Sequence, residues 1–265
     1  MKVTLLSYTP NPEKIVACAA KLCYASVTPD QLYDGLTDEK AANFVEMLAS
    51  MGHESPIEHV SFTFTIEGVS RSLLAQITRH RIASFSVQSQ RYVSMDNFSF
   101  VTPPEIEENP KAKALFLETM ERDLTAYREI SAALYEKHYQ TFLAEGKTEK
   151  QASYAAEKKA NEDARFVLPN ACDTQMIVTM NARSLHNFFR HRCCNRAQWE
   201  IKAVADEMLR LVCEVAPTLF AAAGPACYQK SCGEGKMSCG KAAEMRDFYT
   251  KLHADARGAH GGETE

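Results

Sequence analysis

The sequence has no apolar run approaching the length of about 20 residues that a membrane-spanning helix needs. Its first residues, MKVTLLSYTPNPEK, contain too short an apolar part for a secretory signal peptide. The chain also lacks an excess of basic residues, since its formal net charge is -4, whereas general nucleic-acid binding needs a basic surface. These absences favour a cytoplasmic protein that binds neither membranes nor nucleic acid.

The nine cysteines contain no Cys-x-x-Cys pair. Near the C-terminus, Cys227, Cys232 and Cys239 are spaced more widely than the usual paired ligands of a structural zinc site. Without a secretory signal, disulfides are not expected, so we expect exposed free thiols here and predict no metal site. A zinc or iron–sulfur site at these three residues is the alternative, which metal analysis of the protein would decide.

A length of 265 residues is enough for one large domain or two small ones. We expect a single domain over residues 1–223 and a tail over 224–265 that contains Cys, Gly and Lys. The last part of that tail, residues 254–265, is expected to be disordered because it is small and polar.

Hydrophobic periodicity predicts a mixed α/β fold with a sheet and long helices. In SFTFTIEGV, for example, Phe62, Phe64 and Ile66 alternate with polar residues, which is typical of a half-buried strand. The predicted strands lie near 3–8, 61–69, 98–102 and 174–181, and the predicted helices near 13–24, 38–51, 71–80, 110–145, 149–166 and, as one or two helices, 181–212.

The segment 79–92, RHRIASFSVQSQRY, is densely polar within an otherwise apolar region. Arginine is seldom fully buried without a partner, and its planar fork of donors suits phosphate. Serine and glutamine add neutral donors. The residues alone leave two interpretations open. The segment either binds an anionic ligand, or it is a solvated loop or a structural ion-pair network, which clustered charges also form.

Three further groups of polar residues have the same ambiguity. The segment HESPIEH (53–59) has ligand types for zinc or iron, but Pro56 rules out a helical His-Glu-x-x-His. Residues three or four apart share a helix face, which pairs Gln76 with Arg79, Arg183 with Asn187, and Arg192 with Arg196. Arg71 lies off that first face and is expected to be solvated, and Arg165 taken alone would be a surface residue.

Four segments of the chain together resemble the flavin-dependent thymidylate synthase family. Arg79-His80-Arg81, followed by seven residues and then Ser89, is similar to the family's Arg-His-Arg signature. Residues 53–59, 164–169 and 181–201 are similar to three other family motifs. The chain departs from the pattern at Ser86-Val87, where Asn-Glu is usual, and at Arg196, where His is common.

The resemblance implies a central, mostly antiparallel sheet with long packed helices. It implies the reductive methylation of dUMP to dTMP, with methylenetetrahydrofolate as the one-carbon donor and NADPH-reduced FAD as the reductant. It also implies a homotetramer whose active sites are shared between chains, and no cysteine nucleophile.

The resemblance further assigns roles to individual residues. Arg192 is implied to contact the uracil and to stabilise the negative charge that develops on it, which makes it the catalytic residue. His53 is implied to lie near the folate. The residues implied to bind dUMP are Gln76, Arg79, Gln88, Ser89, Gln90, Arg91, Arg165 and Arg192. Those implied to bind FAD are Ser55, Glu58, Arg79, His80, Arg81, Asn181, Arg183 and Asn187.

Three other functions stay open on the sequence. One is an FAD-binding redox protein that lacks dUMP methylation, which the Ser86-Val87 departure favours. Another is a non-enzymatic nucleotide- or RNA-binding protein, against which the acidic net charge argues. The third is a metal-binding regulator that uses the tail cysteines.

Overall fold

The computed structural model describes residues 1–95 and 98–260, and the chain divides into two compact units. Unit 1 consists of residues 1–67, 76–86 and the described part of 177–265, and unit 2 of residues 68–75 and 87–176. Each unit is therefore assembled from segments that are distant in sequence. The single domain expected over residues 1–223 stays a prediction.

One four-stranded sheet has the order β1-β2-β4-β3. β1 and β2 pair antiparallel, with a register shift between Leu5 and Ser7. On β2, Phe62, Phe64 and Ile66 are fully buried, which confirms the predicted apolar face. The strands are β1 (Lys2–Tyr8), β2 (Ser61–Ser70), β3 (Ser84–Val87) and β4 (Asp173–Asn181).

Two strand predictions differ from this sheet. The strand expected at 98–102 is wrong, because Phe100 makes only an isolated bridge to Cys172. The alternation seen there reflects core packing, since Phe98 is buried and Ser99 exposed. In its place, β3 lies inside the polar segment 79–92, where no strand was predicted.

Eleven α-helices lie in the described part of the chain, and none of them combines the length and apolarity needed to span a membrane. The mixed helix-and-sheet architecture with long helices is confirmed. The helices are α1 (Pro12–Leu22), α2 (Pro29–Asp34), α3 (Asp38–Met51), α4 (Arg71–Ile77), α5 (Pro104–Glu107), α6 (Pro110–Ala144), α7 (Glu149–Ala164), α8 (Ala182–Arg192), α9 (Trp199–Val215), α10 (Ala226–Gln229) and α11 (Ala242–His260).

In unit 2, α6 and α7 pack along each other. Gly146, in the turn between them, has a φ of 83°, a conformation that glycine adopts without steric cost. Tyr127 of α6 is fully buried, and its hydroxyl donates to Asn161 Oδ1 of α7 at 3.1 Å. This contact satisfies two buried polar groups at once.

In unit 1, α9 packs against β1, α8 and α11. α11 is amphipathic, with Tyr249, His253 and Ala256 buried at helical spacing. Residues 254–260, which were expected to be disordered, are therefore helical. Residues 261–265 lie outside the described residues.

Candidate active site

The Arg-His-Arg triplet follows α4 instead of lying on it. α4 ends at Ile77, and the amides of Arg79 and His80 donate to the carbonyls of Gln76 and Ile77 at 3.3 and 3.1 Å. The helical face predicted to join Gln76 and Arg79 is therefore wrong. In this turn Arg79 and Arg81 are exposed, and His80 is half-buried.

His80 contacts the residue that the family resemblance makes catalytic. Arg192 Nε donates to His80 Nε2 at 3.1 Å, and the His80 ring meets Phe188 edge-on with 4.9 Å between ring centroids. Burial, then Arg192 and His191, lower the pKa of His80 to about 4. The neutral ring therefore accepts at Nε2 and carries its proton on Nδ1, which orients the Arg192 guanidinium.

Arg192 and the neighbouring Arg79 place two guanidinium groups beside this contact. Burial and the neighbouring Arg79 lower the pKa of Arg192. Within residues 1–95 and 98–260, no carboxylate forms an ion pair with Arg79, Arg81 or Arg192. Uncompensated guanidinium groups of this kind suit an anionic ligand such as a phosphate.

The 53–59 segment is joined to α8 by ion pairs. Arg183 donates to Glu54 Oε2 at 3.2 Å and also to Glu58 Oε1, and these bonds, first that to Glu58, raise the pKa of Arg183. Two residues predicted to bind FAD thus contact each other, and Glu54, which was not predicted, joins them. His53 and Ser55 are exposed alongside.

α8 carries the 181–192 motif much as its spacing predicted. Arg183 and Asn187 both lie on this helix, four residues apart and exposed. Asn181 stands at its N-cap, where its side chain accepts from the Ser184 amide at 2.8 Å. The residue has a structural function that the sequence reasoning did not recognise, although Asn is a preferred N-cap residue.

The face predicted to join Arg192 and Arg196 is wrong. α8 ends at Arg192, and Arg196 lies in the turn before α9. There Arg196 forms an ion pair with Glu234 of the tail at 2.9 Å, so the two arginines serve different contacts.

In unit 2, hydrogen bonds shape the loop that follows β3. The Gln88 amide donates to the Gln175 carbonyl at 3.0 Å, so it is not the free backbone donor that was predicted. Ser89 Oγ accepts from the Arg91 amide at 3.2 Å, and Gln90 Nε2 lies 3.8 Å from Cys172 Sγ. Among the described residues, the amides of Ser89 and Gln90 carry no hydrogen bond.

Glu162 of α7 holds both predicted phosphate-binding arginines. Its carboxylate lies 2.9 Å from Arg91 Nη2, and its backbone carbonyl accepts from Arg165 Nε at 3.1 Å. Arg91 Nε is buried without a hydrogen-bond partner in the described part of the chain. Arg165 is half-buried, and no sequence motif indicated that Glu162 contacts both arginines.

Arg71 is not the solvated residue that was expected. It is half-buried, its Nη2 donates to the Gln88 carbonyl at 3.1 Å, and its Nε is buried with no hydrogen-bond partner among the described residues. Burial is the main cause that lowers its pKa, and Arg165 also lowers it. A cation in the first turn of a helix opposes the helix dipole. The placement of Arg71 at the start of a predicted helix was therefore a sequence signal that its side chain makes a specific contact.

The tail cysteines differ in exposure from the prediction. Cys227 is buried, and Cys232 and Cys239 are half-buried, so the expectation of exposed thiols is wrong. All nine cysteines are free. In the part of the chain that the structure describes, no three or more His, Cys, Asp or Glu residues are grouped so that they could hold a metal ion.

The sheet, the long helices and the arginine clusters define a mixed α/β protein whose guanidinium groups suit anionic ligands. The family model described as "Thymidylate synthase complementing protein" matches residues 4–218. A flavin-dependent thymidylate synthase from Clostridium tetani is 57% identical over 249 residues, which cover 94% of this chain and 97% of the relative. One from Geobacter sulfurreducens is 46% identical over 254 residues, or 95% and 99% of the two chains. The chain belongs to the flavin-dependent thymidylate synthase family.

A solved structure has the same fold. Thymidylate synthase X from Helicobacter pylori, crystallised with FAD and dUMP, superposes with a TM-score of 0.61 at 23% identity. The match covers 84% of this chain and 98% of the other. The fold class expected from the resemblance is thereby confirmed.

Proposed function

We propose that this chain catalyses the reductive methylation of dUMP to dTMP, with FAD as its cofactor and methylenetetrahydrofolate and NADPH as co-substrates. The observation that carries the proposal is the Arg192–His80 contact at 3.1 Å. It holds a guanidinium in a fixed orientation beside Arg79. The family to which the chain belongs and the ligands of the Helicobacter pylori structure support the same reaction.

The residues of unit 1 fit FAD. Its pyrophosphate is anionic, and Arg79 and Arg81 offer exposed guanidinium groups with no carboxylate partner in the described part of the chain. When bound, the flavin would supply the reducing equivalents that come from NADPH. The residues proposed to hold it are Ser55, Glu58, Arg79, His80, Arg81, Asn181, Arg183 and Asn187.

Arg192 is proposed to act on the uracil ring. Methylation at C5 requires negative charge to develop on the ring, and an arginine stays protonated at any physiological pH. His80 fixes the guanidinium before the charge appears, so little reorganisation is needed. A preorganised donor of this kind contributes about 3 kcal/mol to transition-state stabilisation.

The residues of unit 2 are proposed to bind the 5′-phosphate of dUMP. A phosphate dianion needs fixed cationic and amide donors, and Arg91 and Arg165 are both held by Glu162. The amides of Ser89 and Gln90 and the side chain of Gln88 complete the proposed set in this unit, and the family resemblance adds Gln76, which belongs to unit 1. Because the Gln88 amide donates to Gln175, only its side chain is proposed to contact the ligand.

The proposal also includes features that come from the family resemblance alone. These are a homotetramer with active sites shared between chains, a cytoplasmic location, and a position for His53 near the folate. The Ser86-Val87 departure removes any contact from the usual Glu side chain, and it is the reason to test an FAD-binding redox protein as the second candidate.

The visible absorption spectrum of the purified protein, recorded before and after dUMP is added, tests the proposal. We expect flavin bands that shift on addition of dUMP, together with dTMP formation. Flavin bands that do not shift on addition of dUMP would favour the FAD-binding redox protein. A protein that cannot be reconstituted with FAD would overturn both the synthase and the redox-protein proposals.

Two variants of α8 sharpen this test. Arg192→Gln is expected to lower kcat for dTMP formation by on the order of 100-fold, the loss seen when one preorganised donor is removed. Arg190→Gln is the matched control, because Arg190 is exposed on the same helix and has no proposed role. Equal activity in the two variants would contradict the role of Arg192.

A further inference from the structure

A tyrosine near the C-terminus contacts the end of α8. Tyr249 of α11 is fully buried. Its hydroxyl oxygen lies 2.7 Å from the Cys193 carbonyl oxygen and 2.6 Å from Asp206 Oδ1 of α9. Lys202, one turn before Asp206, places its Nζ 2.6 Å from Asp206 Oδ2 and 3.3 Å from the Tyr249 hydroxyl. The hydrogen-bonded group of Cys193, Lys202, Asp206 and Tyr249 therefore joins three helices of unit 1, α8, α9 and α11.

The Cys193 carbonyl is one that a helix cannot satisfy by itself. Cys193 is the C-cap of α8, and the last four carbonyls of a helix have no intrahelical donor. Burial, followed by Cys193 and Asp206, raises the pKa of Tyr249. The hydroxyl therefore keeps its single proton, which it can donate either to this carbonyl at 2.7 Å or to Asp206 Oδ1 at 2.6 Å.

We propose that Tyr249 is a positioning residue for Arg192, and that α11 thereby takes part in setting the catalytic geometry. Arg192 directly precedes Cys193, so the contact with Tyr249 fixes its backbone while His80 fixes its guanidinium at 3.1 Å. The inference rests on the proposed function, which gives Arg192 its role at the uracil. It assigns a role to a residue beyond position 218, where the family-model match ends.

The position of a catalytic guanidinium needs support at both ends of the side chain. An arginine has several rotatable bonds between Cα and the guanidinium, so a small shift of the backbone moves the charged group unless another contact corrects it. A misplacement of about 1 Å can reduce a rate by on the order of 100-fold. Contacts from neighbouring residues to the backbone and side chain hold a functional group within about 0.5 Å of the productive geometry.

Tyr249→Phe tests the proposal because it removes only the hydroxyl. We expect kcat for dTMP formation to fall about tenfold, in keeping with a partial displacement of Arg192, while the FAD content stays at the wild-type level. The matched control is Tyr135→Phe, which removes a hydroxyl bonded to Ser153 Oγ at 3.0 Å between α6 and α7. The control is expected to keep wild-type kcat, and a wild-type kcat in Tyr249→Phe would overturn the proposal.

A double-mutant cycle separates positioning from general destabilisation. If Tyr249 acts through Arg192, Tyr249→Phe should have no further effect on kcat in the Arg192→Gln background. A tenfold loss that persists in that background would show that Tyr249 acts independently of Arg192. Should Tyr249→Phe not fold, Asp206→Asn weakens the same group from α9. It is expected to lower kcat several-fold, and an unchanged kcat would overturn the proposal.

One readout does not depend on turnover. Arg192 is among the causes that hold the pKa of His80 at about 4, so a displaced Arg192 should let the His80 pKa rise in Tyr249→Phe. NMR titration of the His80 ring measures this, with His80→Gln to assign the signal. An unchanged His80 pKa would overturn the inference, whereas failure of the proposed function would appear in the wild type as absent dTMP formation.

Discussion

At the scale of single residues, His80 links the protonation state of one ring to the stability of the fold. Its pKa is lowered from 6.5 to about 4. Between those two pH values the unfolded chain binds a proton on this ring that the folded chain does not bind. The contribution to stability is therefore fully present above about pH 6.5 and is lost as the pH falls towards 4.

His80→Gln is expected to remove this part of the acid sensitivity, while a Gln carbonyl can still accept from Arg192. Urea unfolding of the wild type and the variant at pH 7 and pH 5 measures it. His53→Gln, at an exposed histidine, should keep the wild-type difference between the two pH values. If His80→Gln also kept that difference, the lowered pKa of His80 would be contradicted.

The residues that sequence reasoning missed at this scale are those whose contacts depend on the fold. Arg71 and Glu162 belong to no motif, and their contacts to Gln88 and Arg91 join residues 17 and 71 positions apart. The Arg-His-Arg triplet could be recognised because its spacing is local. Its orientation depends on Arg192, 112 positions away, and could not be predicted.

At the scale of single elements, the N-terminus of α8 depends on Asn181. Its side chain accepts from the Ser184 amide at 2.8 Å and so satisfies one of the free donors of the first turn. Asn181→Ala is expected to cost about 1 kcal/mol in the free energy of unfolding, the usual effect of losing an N-cap. Urea unfolding of the cofactor-free protein measures this.

Asn181→Asp is the matched control for this prediction. Aspartate caps a helix about as well as asparagine, and its charge is favourable at a helix N-terminus, so wild-type stability is expected. If Asn181→Ala bound FAD poorly but unfolded like the wild type, Asn181 would contact the cofactor without supporting α8.

The elements that the sequence predicted best are those with long, regular periodicity. α3 at Asp38–Met51 was predicted at its observed bounds, and α6 at Pro110–Ala144 within one residue. β3 was missed because its four residues, Ser84–Val87, are too few for a periodic pattern, and because the polar residues around them indicated a loop. The sheet order was not readable, since pairing joins strands far apart in sequence.

At the scale of the whole molecule, the proposed tetramer predicts how activity depends on assembly. Large apolar side chains stand exposed beside two arginines proposed to bind ligands: Phe166, next to Arg165, is 83% exposed, and Ile82, next to Arg81, is 76% exposed. Single exposed apolar side chains do not mark an interface by themselves, but the shared active sites implied by the family resemblance would bring a second chain to the proposed ligand sites. An isolated monomer is therefore expected to be inactive.

Light scattering combined with activity measurements tests this prediction across a dilution series. Specific activity should fall as the tetramer dissociates, and Phe166→Asp should shift the dissociation to higher protein concentration. A monomer that forms dTMP at the full rate would contradict the proposed sharing of sites between chains.

The family could be identified from the sequence because four separated motifs occur together, and each motif is short enough to be read without the fold. The division into two units could not be read, because each unit is built from segments far apart in the chain. The same is true of the contact between the tail and α8, which places Tyr249 against Cys193, 56 positions earlier.

The discontinuity of unit 1 has a consequence for synthesis on the ribosome. β1 pairs with β2 and also packs against α9. α9 emerges from the exit tunnel only about 200 residues after β1, and α11 is the last helix of the described chain. Contacts of such long sequence separation slow folding, because the chain must close large loops before it gains their energy. The surface of β1 that α9 covers is therefore expected to stay exposed until α9 has emerged, and chaperones are expected to bind the nascent segment during translation.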